Sequence, residues 1–378
     1  MVGLWFFRVP QVVFGEDALS FLSTLGIKRA CIVCDRYLAA AGMPQRVMRF
    51  LDGAEVAVVS DFGEEPSLGD VERNLTQVRE FGPDWFLGLG GGSSMDMAKI
   101  LFALYERPDI SAYDITPLVP LGLRKRARLA LIPTTSGTGS ECSWAAVLSD
   151  EGHRKNELAS PEIMADYAIL DPSLVLGLPK GVTRNTAVDA ITHSVEAYAS
   201  AWRNPYSDAM AEKAFELIVN SILRVLKDPS DVTARGNVHI GASMAGSAFS
   251  NSQIGLAHAL GHALGSHFRV PHGMSVGLYL PSVVRFNSQA VPERYRRLNS
   301  LVPDGIRKGT LDLSLQALFS EMGQPLSVDE AGIDRSRYLE SLEGMVAVAS
   351  ESTGTVGNAK DASTSDIRTL LLSVLPEK

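Results

Sequence analysis

The chain has 378 residues, 46% of them hydrophobic and 21% charged, with a formal net charge of −8. Two domains are expected at that length, because a single core rarely grows beyond roughly 250–300 residues. The acidic balance excludes a nucleic-acid surface, which needs clustered Lys and Arg, and three cysteines are too few for a disulfide framework, so a reducing cytoplasm is the expected compartment.

The opening segment, MVGLWFFRVPQVVFGED, has apolar residues but no continuous apolar core leading to a cleavage site; Trp5, Phe6 and Phe7 read as a packing strand and not as a signal peptide. No run approaches the ~18 apolar residues of a membrane span. Asp17 to Leu25 reads as a short helix, and ACIVCD (30–35) as a buried strand ending in an acid. Cys31 and Cys34 resemble a C-x-x-C pair, but residues three apart on a strand point to opposite faces, which removes a shared metal or redox role. Strand then helix recurs through AEVAVVSDF (54–62) and LGDVERNLTQVREF (68–81), the latter aligning Leu68, Val71, Leu75 and Val78 on one face. DWFLGLGGGSSMDMAKI (84–100) is a strand, a glycine turn and a helix start. This alternation predicts a mostly parallel sheet with helices on both faces.

Three stretches carry chemistry. At Gly90, Gly91 and Gly92 the backbone can approach a pyrophosphate closely, with Ser93 and the helix N-terminus supplying donors and a positive dipole. Asp35, at the end of an earlier strand, can accept hydrogen bonds from an adenosine ribose and repel a 2′-phosphate, although Arg36 adjoins it. In LALIPTTSGTGSE (129–141) a buried strand runs into a hydroxyl-rich loop, suited to phosphates and a nicotinamide ribose; the basic run Arg124, Lys125, Arg126 and Arg128 just before it reads as a solvated loop. From Thr183 the pattern turns helical, with SDAMAEKAFELIVNSILRVLKD (207–228) carrying a broad apolar stripe and short amphipathic pieces at 311–322 and 365–375. Within AVDAITHSVEAY, Asp189 and His193 stand at i,i+4. GLAHALGHALGSHFRVPHG (255–273) holds four of the seven histidines. His258 and His262 share a helix face, Gly261 and Gly265 leave a shallow strip, and His272 sits on a turn after the helix has stopped at Pro271. Each pair alone has a commonplace reading as packed or surface residues. Together they offer three imidazoles and one carboxylate for a divalent transition metal.

Taken in order, GGGSSMDMAK (90–99), PTTSGTGSE (133–141), DP…LP (171–179), AVDAITHSVEAY (187–198) and GLAHALGHALG…PHG (255–273) resemble the iron-containing (group III) alcohol dehydrogenase family, over about residues 5 to 290. The resemblance implies an α/β N-terminal nucleotide-binding domain with a mostly parallel sheet over residues 1–179 and an all-α domain over 180–378, the dehydroquinate synthase-like fold, with the active site in the cleft. It implies Asp189, His193, His258 and His272 as metal ligands and His262 as the non-ligand histidine facing substrate and nicotinamide. It implies Asp35, Gly91, Gly92, Ser93, Asp96, Thr134, Thr135, Thr138 and Lys155 as dinucleotide contacts. The intact ligand set separates the chain from maleylacetate reductases, which look similar but lack the metal residues. Two departures stand out: Glu65-Pro66 where many members have Asn-Pro, and GNAKDAST (357–364) in place of a more proline-rich segment.

The activity expected is reversible hydride transfer between an alcohol and NAD, in preference to NADP, with the alcohol oxygen on the metal and His262 relaying a proton or orienting the substrate. Imidazole and carboxylate ligands suit Fe(II), Zn or Mn, and the resemblance selects Fe(II). A small alcohol or aldehyde substrate, a homodimer, and no nucleic-acid or membrane partner complete the expectation. The alternatives are a dehydroquinate-synthase-like lyase using NAD and a metal, disfavoured by the scarcity of Lys and Arg around 189–198 and 255–267, and a non-catalytic metal- or nucleotide-binding protein.

Overall fold

The computed structural model describes residues 6–63, 66–149 and 155–376. They form two compact units: a sheet unit of Arg8–Thr135 and Gly139–Val175, and a helical unit of Leu176 onward that also takes in Phe6, Phe7 and Ser136–Thr138.

The sheet unit is built on six parallel strands, β1 (Gln11–Phe14), β2 (Arg29–Val33), β3 (Glu55–Val59), β4 (Trp85–Gly90), β5 (Arg128–Pro133) and β8 (Tyr167–Leu170), in the order β1-β8-β5-β4-β2-β3. A separate antiparallel pair, β6 (Ala145–Ser149) and β7 (Lys155–Ala159), completes the strands. The alternation of β2 sorts its side chains onto the two faces: Cys31 and Val33 enter one core with Phe86, Leu129 and Leu131, whereas Ala30, Ile32 and Cys34 enter the other with Leu87, Ala130 and Ile132. The two cysteines therefore lie on opposite faces, as their spacing predicts. Helix α1 (Arg36–Ala40) follows β2, α2 (Leu68–Phe81) follows β3, and α3 (Gly92–Glu106) follows β4. A capping box at Ser67 and Asp70 starts α2, and Gly82 in the left-handed region ends it. The chain leaves β2 toward β3 at one edge and returns through β4 toward β5, which makes the carboxyl ends of β2 and β4 the topological switch point.

The helical unit includes α4 (Lys180–Ala199), α5 (Pro205–Val219), α6 (Ile222–Lys227), α7 (Val232–Ser250), α8 (Leu256–His267), α9 (His272–Asn287), α10 (Leu311–Met322) and α11 (Thr364–Leu372). One apolar core joins them, with Ile191 of α4, Phe215 of α5, Leu260 of α8, Tyr279 of α9 and Phe319 of α10 all buried in it. Gly261 lets α8 approach α9, since a Cβ there would come within 2.7 Å of the Val276 side chain; Gly265 meets nothing within 4 Å, so the glycine strip works at one of its two positions.

Several sequence expectations need correction. Phe6 and Phe7 precede the first strand, which begins at Gln11, and Phe7 instead stacks on Tyr206 at 5.3 Å; Trp5 lies outside the described residues. The short helix expected over Asp17 to Leu25 is present, in 3-10 form over Ala18–Thr24. The stretch 207–228 is two helices, broken at Asn220, whose amide donates to the Glu216 and Leu301 carbonyls. His272 opens α9 instead of sitting on a turn: Pro271 stands at its N-cap, where a missing N–H costs nothing. The basic run is engaged internally, with Arg124 and Arg128 paired to Asp166 and the Arg126 guanidinium 4.2 Å from the Tyr105 ring centre. Glu65 lies outside the described residues.

Candidate metal centre and nucleotide-binding turn

Helix α4 projects Asp189, His193 and Glu196 at i, i+4 and i+7, one face of the helix, and all three are buried. Helix α8 brings His258, and the first turn of α9 brings His272. One ligand atom each from Asp189, His258 and His272 lies within 4.8 Å of the others. Asp189 Oδ1 is the common point, 3.3 Å from His272 Nε2, 3.6 Å from His258 Nε2 and 3.9 Å from His193 Nδ1. The His193 ring stacks on that of His258 at 4.4 Å and on Phe249 at 4.4 Å.

The chemistry of this cluster fits a divalent cation. Asp189 Oδ1, His193 Nδ1 and His258 Nε2 are buried without a hydrogen-bond partner among the described residues. Three such orphaned acceptor or donor atoms at one place are costly unless a cation satisfies them. Burial drives the His193 imidazole down to about 3, which keeps it neutral with a lone pair to offer. Burial alone would raise the Asp189 carboxyl, but the surrounding imidazoles of His193, His272 and His258 hold it well below the usual carboxylate range. At His258 burial works against the proton, yet the Glu196 and Asp189 carboxylates outweigh it and raise the ring to about 9, so a cation there must displace a proton.

Glu196 is a residue that spacing alone did not single out. Its carboxylate accepts from His258 Nδ1 at 2.5 Å and from the backbone N–H groups of Gly255 at 2.9 Å and Ala257 at 2.5 Å. It thereby caps the N-terminus of α8 and leaves His258 Nε2 facing Asp189, the carboxylate–histidine pattern that orients a metal-binding imidazole. The signal was present in AVDAITHSVEAY, as a third charged residue on the Asp189 face. His262, one turn after His258, contributes no atom to the three-residue cluster; its ring is 5.1 Å from that of His272 and 5.9 Å from that of His258.

In the sheet unit Asp35, Gly91, Gly92, Ser93, Thr134 and Thr135 follow the carboxyl ends of β2, β4 and β5. Gly90 has φ +151°, a conformation side chains avoid, and a Cβ there would strike Ser94. Gly91 is the N-cap of α3 and Gly92 its first residue, so the cap position brings no side chain of its own to the helix N-terminus, as close approach of an anion requires. Thr134 N donates to the Gly90 carbonyl at 2.9 Å, and the Thr135 side chain comes within 3.6 Å of where a Gly91 Cβ would be. Asp35 sits at the end of β2, its N–H donating to Ser94 Oγ at 3.1 Å while its Oδ1 accepts from Leu38 N at 2.9 Å as the cap of α1. Asp96 is committed internally: it accepts from Ser140 Oγ at 2.6 Å and from Val147 N at 3.0 Å. Ser93 is half-buried in the first turn of α3, and Lys155 opens β7. Thr138 is half-buried in the stretch that belongs to the helical unit.

A parallel-sheet unit with a glycine turn at its switch point and a helical unit with a buried Asp/His cluster define a metal-dependent, dinucleotide-linked oxidoreductase class. Family models described as iron-containing alcohol dehydrogenase and as the C-terminal part of the Fe-containing alcohol dehydrogenase family match residues 10–172 and 183–375. The chain belongs to the iron-containing alcohol dehydrogenase family. It is 32% identical to the NADPH-dependent butanol dehydrogenase of Clostridium saccharobutylicum over 89% of each chain. It is 31% identical to aldehyde-alcohol dehydrogenase 2 of Entamoeba histolytica over 97% of its own length, but spans only 46% of that relative. The solved structure of the iron-containing alcohol dehydrogenase from Thermococcus thioreducens superposes with a TM-score of 0.88 at 31% identity, covering 98% of this chain and 99% of that one.

Proposed function

We propose that the chain is an NAD-linked alcohol dehydrogenase, running in reverse as an aldehyde reductase, with Fe(II) held by Asp189, His193, His258 and His272. The observation that carries this reading is the convergence of Asp189, His258 and His272 ligand atoms within 4.8 Å around buried atoms that make no hydrogen bond among the described residues. When bound, the divalent metal supplies Lewis acidity toward the alcohol hydroxyl and the nicotinamide supplies the hydride acceptor. The protein's own residues do the rest. Glu196 holds His258 in the tautomer that presents a lone pair at Nε2. His262, beside the cluster and outside it, takes up the proton from the substrate hydroxyl or orients the substrate. The Gly90–Gly92 turn and the start of α3 hold the pyrophosphate.

NAD over NADP is supported by the carboxylate of Asp35 at the end of β2, and by the engagement of neighbouring Arg36 with Asp61, which takes that guanidinium away from a 2′-phosphate. Dinucleotide contacts are assigned to Asp35, Gly91, Gly92, Ser93, Thr134, Thr135, Thr138 and Lys155, and Asp96 acts by tying Ser140 and Val147 in place. Three free, buried cysteines support a reducing, cytoplasmic setting. Among the described residues no helix is long and apolar enough to cross a membrane. A homodimer is the family-based expectation.

The test is anaerobic absorbance at the reduced-nicotinamide band, with demetallated protein reloaded with Fe(II), Zn or Mn, given NAD and primary alcohols or diols, then NADH and the matching aldehydes. Metal-dependent turnover that His258→Ala and His272→Ala abolish is the expected result. Turnover indifferent to metal removal, or none despite bound metal and NAD, would overturn the reading.

A further inference from the structure

His193 and His258 are two of three buried histidines among the described residues of the helical unit; the third, His239 on α7, takes no part in the cluster described above. Its Nδ1 lies 2.9 Å from Ser136 Oγ, and both side chains are buried. Ser136 opens the stretch Ser136–Thr138, which packs with the helical unit although residues of the sheet unit flank it in sequence. The next residue, Gly137, is pressed onto α4: a Cβ there would come within 2.6 Å of Thr186 Cβ and 2.8 Å of the Thr186 backbone, one turn before Asp189. The Gly137 backbone also lies within electrostatic reach of the His193 ring. The opposite constraint on that ring comes from the same helix as His239, since Phe249 stacks on its face.

An imidazole on a short side chain can rotate about two bonds, and a ligand ring is held in one orientation by the partner of its second nitrogen. For His258 that partner is Glu196. For His193 the loop pressed onto α4 beside it is made of Ser, Gly and Thr, a composition whose conformational freedom is large unless something anchors it. The only side-chain hydrogen bond recorded for Ser136 among the described residues is the one to His239. We infer that His239 is a positioning residue of the metal site: through Ser136 it anchors the Ser136–Thr138 loop, so that the Gly137 backbone sets the plane of the His193 ring. The inference rests on the metal-site reading proposed above.

The test uses the full-length chain, demetallated and titrated with Co(II), following the visible absorption of the bound ion and its affinity by chelator competition. His239→Leu removes the hydrogen bond and keeps the site apolar; Ser136→Ala removes it from the other side with little change in volume. Each is expected to weaken Co(II) binding about tenfold, the lower end of what loss of an outer partner costs a metal site, and to change the Co(II) spectrum. The double variant should be no worse than either single one, because both break the same link. His239→Asn, whose amide places a polar atom where Nδ1 stands, should retain affinity within about twofold. Thermal unfolding of the metal-free proteins serves as the control, and Ser136→Ala keeps the test decisive if His239→Leu does not fold. Wild-type affinity and spectrum in Ser136→Ala, additive losses in the double variant, or an equal loss in a folded His239→Asn would each overturn the inference. A wild-type chain that takes up no Co(II) would instead overturn the metal-site reading on which it rests.

Discussion

Glu196→Gln changes one atom of the buried carboxylate and tests the site's electrostatics more sharply than deletion of a ligand. The carboxylate receives three donors: Oε2 accepts from Gly255 N and His258 Nδ1, and Oε1 accepts from Ala257 N. A glutamine has one oxygen to offer. If that oxygen takes the Oε2 position, its NH2 group faces the Ala257 N–H; if it takes the Oε1 position, its NH2 group faces both the Gly255 N–H and the His258 ring. In the second case His258 must turn acceptor at Nδ1 and keep its proton on Nε2, the atom that faces Asp189 at 3.6 Å. Either arrangement loses a charge-assisted hydrogen bond and opposes two buried donors, about 1.5–3 kcal/mol. That corresponds to a loss of roughly 10–100-fold in metal affinity, the range seen when outer partners of ligand histidines are replaced. The assay is chelator competition for Zn or Co(II) on the demetallated chain, with nitrogen-15 NMR of the histidine rings reporting the His258 tautomer. An affinity within twofold of wild type, with the tautomer unchanged, would refute the orienting role of Glu196.

Three further outcomes follow from packing and burial. A Cβ at Gly273 would lie well inside contact with the Asn185 carbonyl oxygen and 2.6 Å from its carbon, backbone atoms of α4 that cannot swing aside; Gly273→Ala should cost at least about 1–3 kcal/mol and displace the adjacent His272, lowering Tm and metal affinity together, whereas Gly265→Ala, with open space around it, should leave metal affinity unchanged and raise Tm slightly. Lys99 is fully buried, its Nζ donating to Ser140 Oγ at 2.8 Å, Ser143 Oγ at 3.2 Å and the Ala145 carbonyl at 2.7 Å, with Asp96 at 3.5 Å. Lys99→Met leaves that carboxylate without its cation and should destabilise the sheet unit by about 3–5 kcal/mol in denaturant unfolding; a loss below 1 kcal/mol would show the lysine to be dispensable. Burial pushes the Cys31 thiol up to about 12, and burial with the Asp35 carboxylate does the same at Cys34. Both stay protonated at pH 8, so alkylation read by peptide mass spectrometry should modify neither in the native chain and both after unfolding.

Features written in local periodicity are the ones that sequence makes legible. The bounds of α2, Leu68–Phe81, and α10, Leu311–Met322, coincide with their apolar stripes, and the two-residue alternation of β2 separates Cys31 from Cys34 as a strand must. Legibility fails where one residue type serves two roles. Pro271 is a stop signal after α8 and equally a start signal for α9, and only the second use puts His272 on the first turn of a helix. Asn220 sits in a window with good helical periodicity, but its break depends on the Leu301 carbonyl, 81 residues away. Asp35 poses the same ambiguity chemically: its Oδ1 caps α1, which any Asp after a strand can do, while its position beside the switch point is what a ribose-binding acid requires.

The candidate site divides along the same line. Asp189, His193, His258 and His262 are each legible because i,i+4 pairs advertise a helix face. Glu196 was half-legible: its spacing from Asp189 puts it on that face, but its partners Gly255, Ala257 and His258 are about 60 residues on, and nothing local marks a glutamate as a cap for a distant helix. His239 had no local signal at all, since its hydrogen bond to Ser136 spans 103 residues and it lies in an unremarkable helical stretch. The candidate ligands are read from spacing, and the groups placed to orient them are read mainly from the fold. Substitutions at Glu196 and His239 therefore discriminate between a cluster that merely contains metal-ligand residue types and one whose rings are held in place to bind a cation.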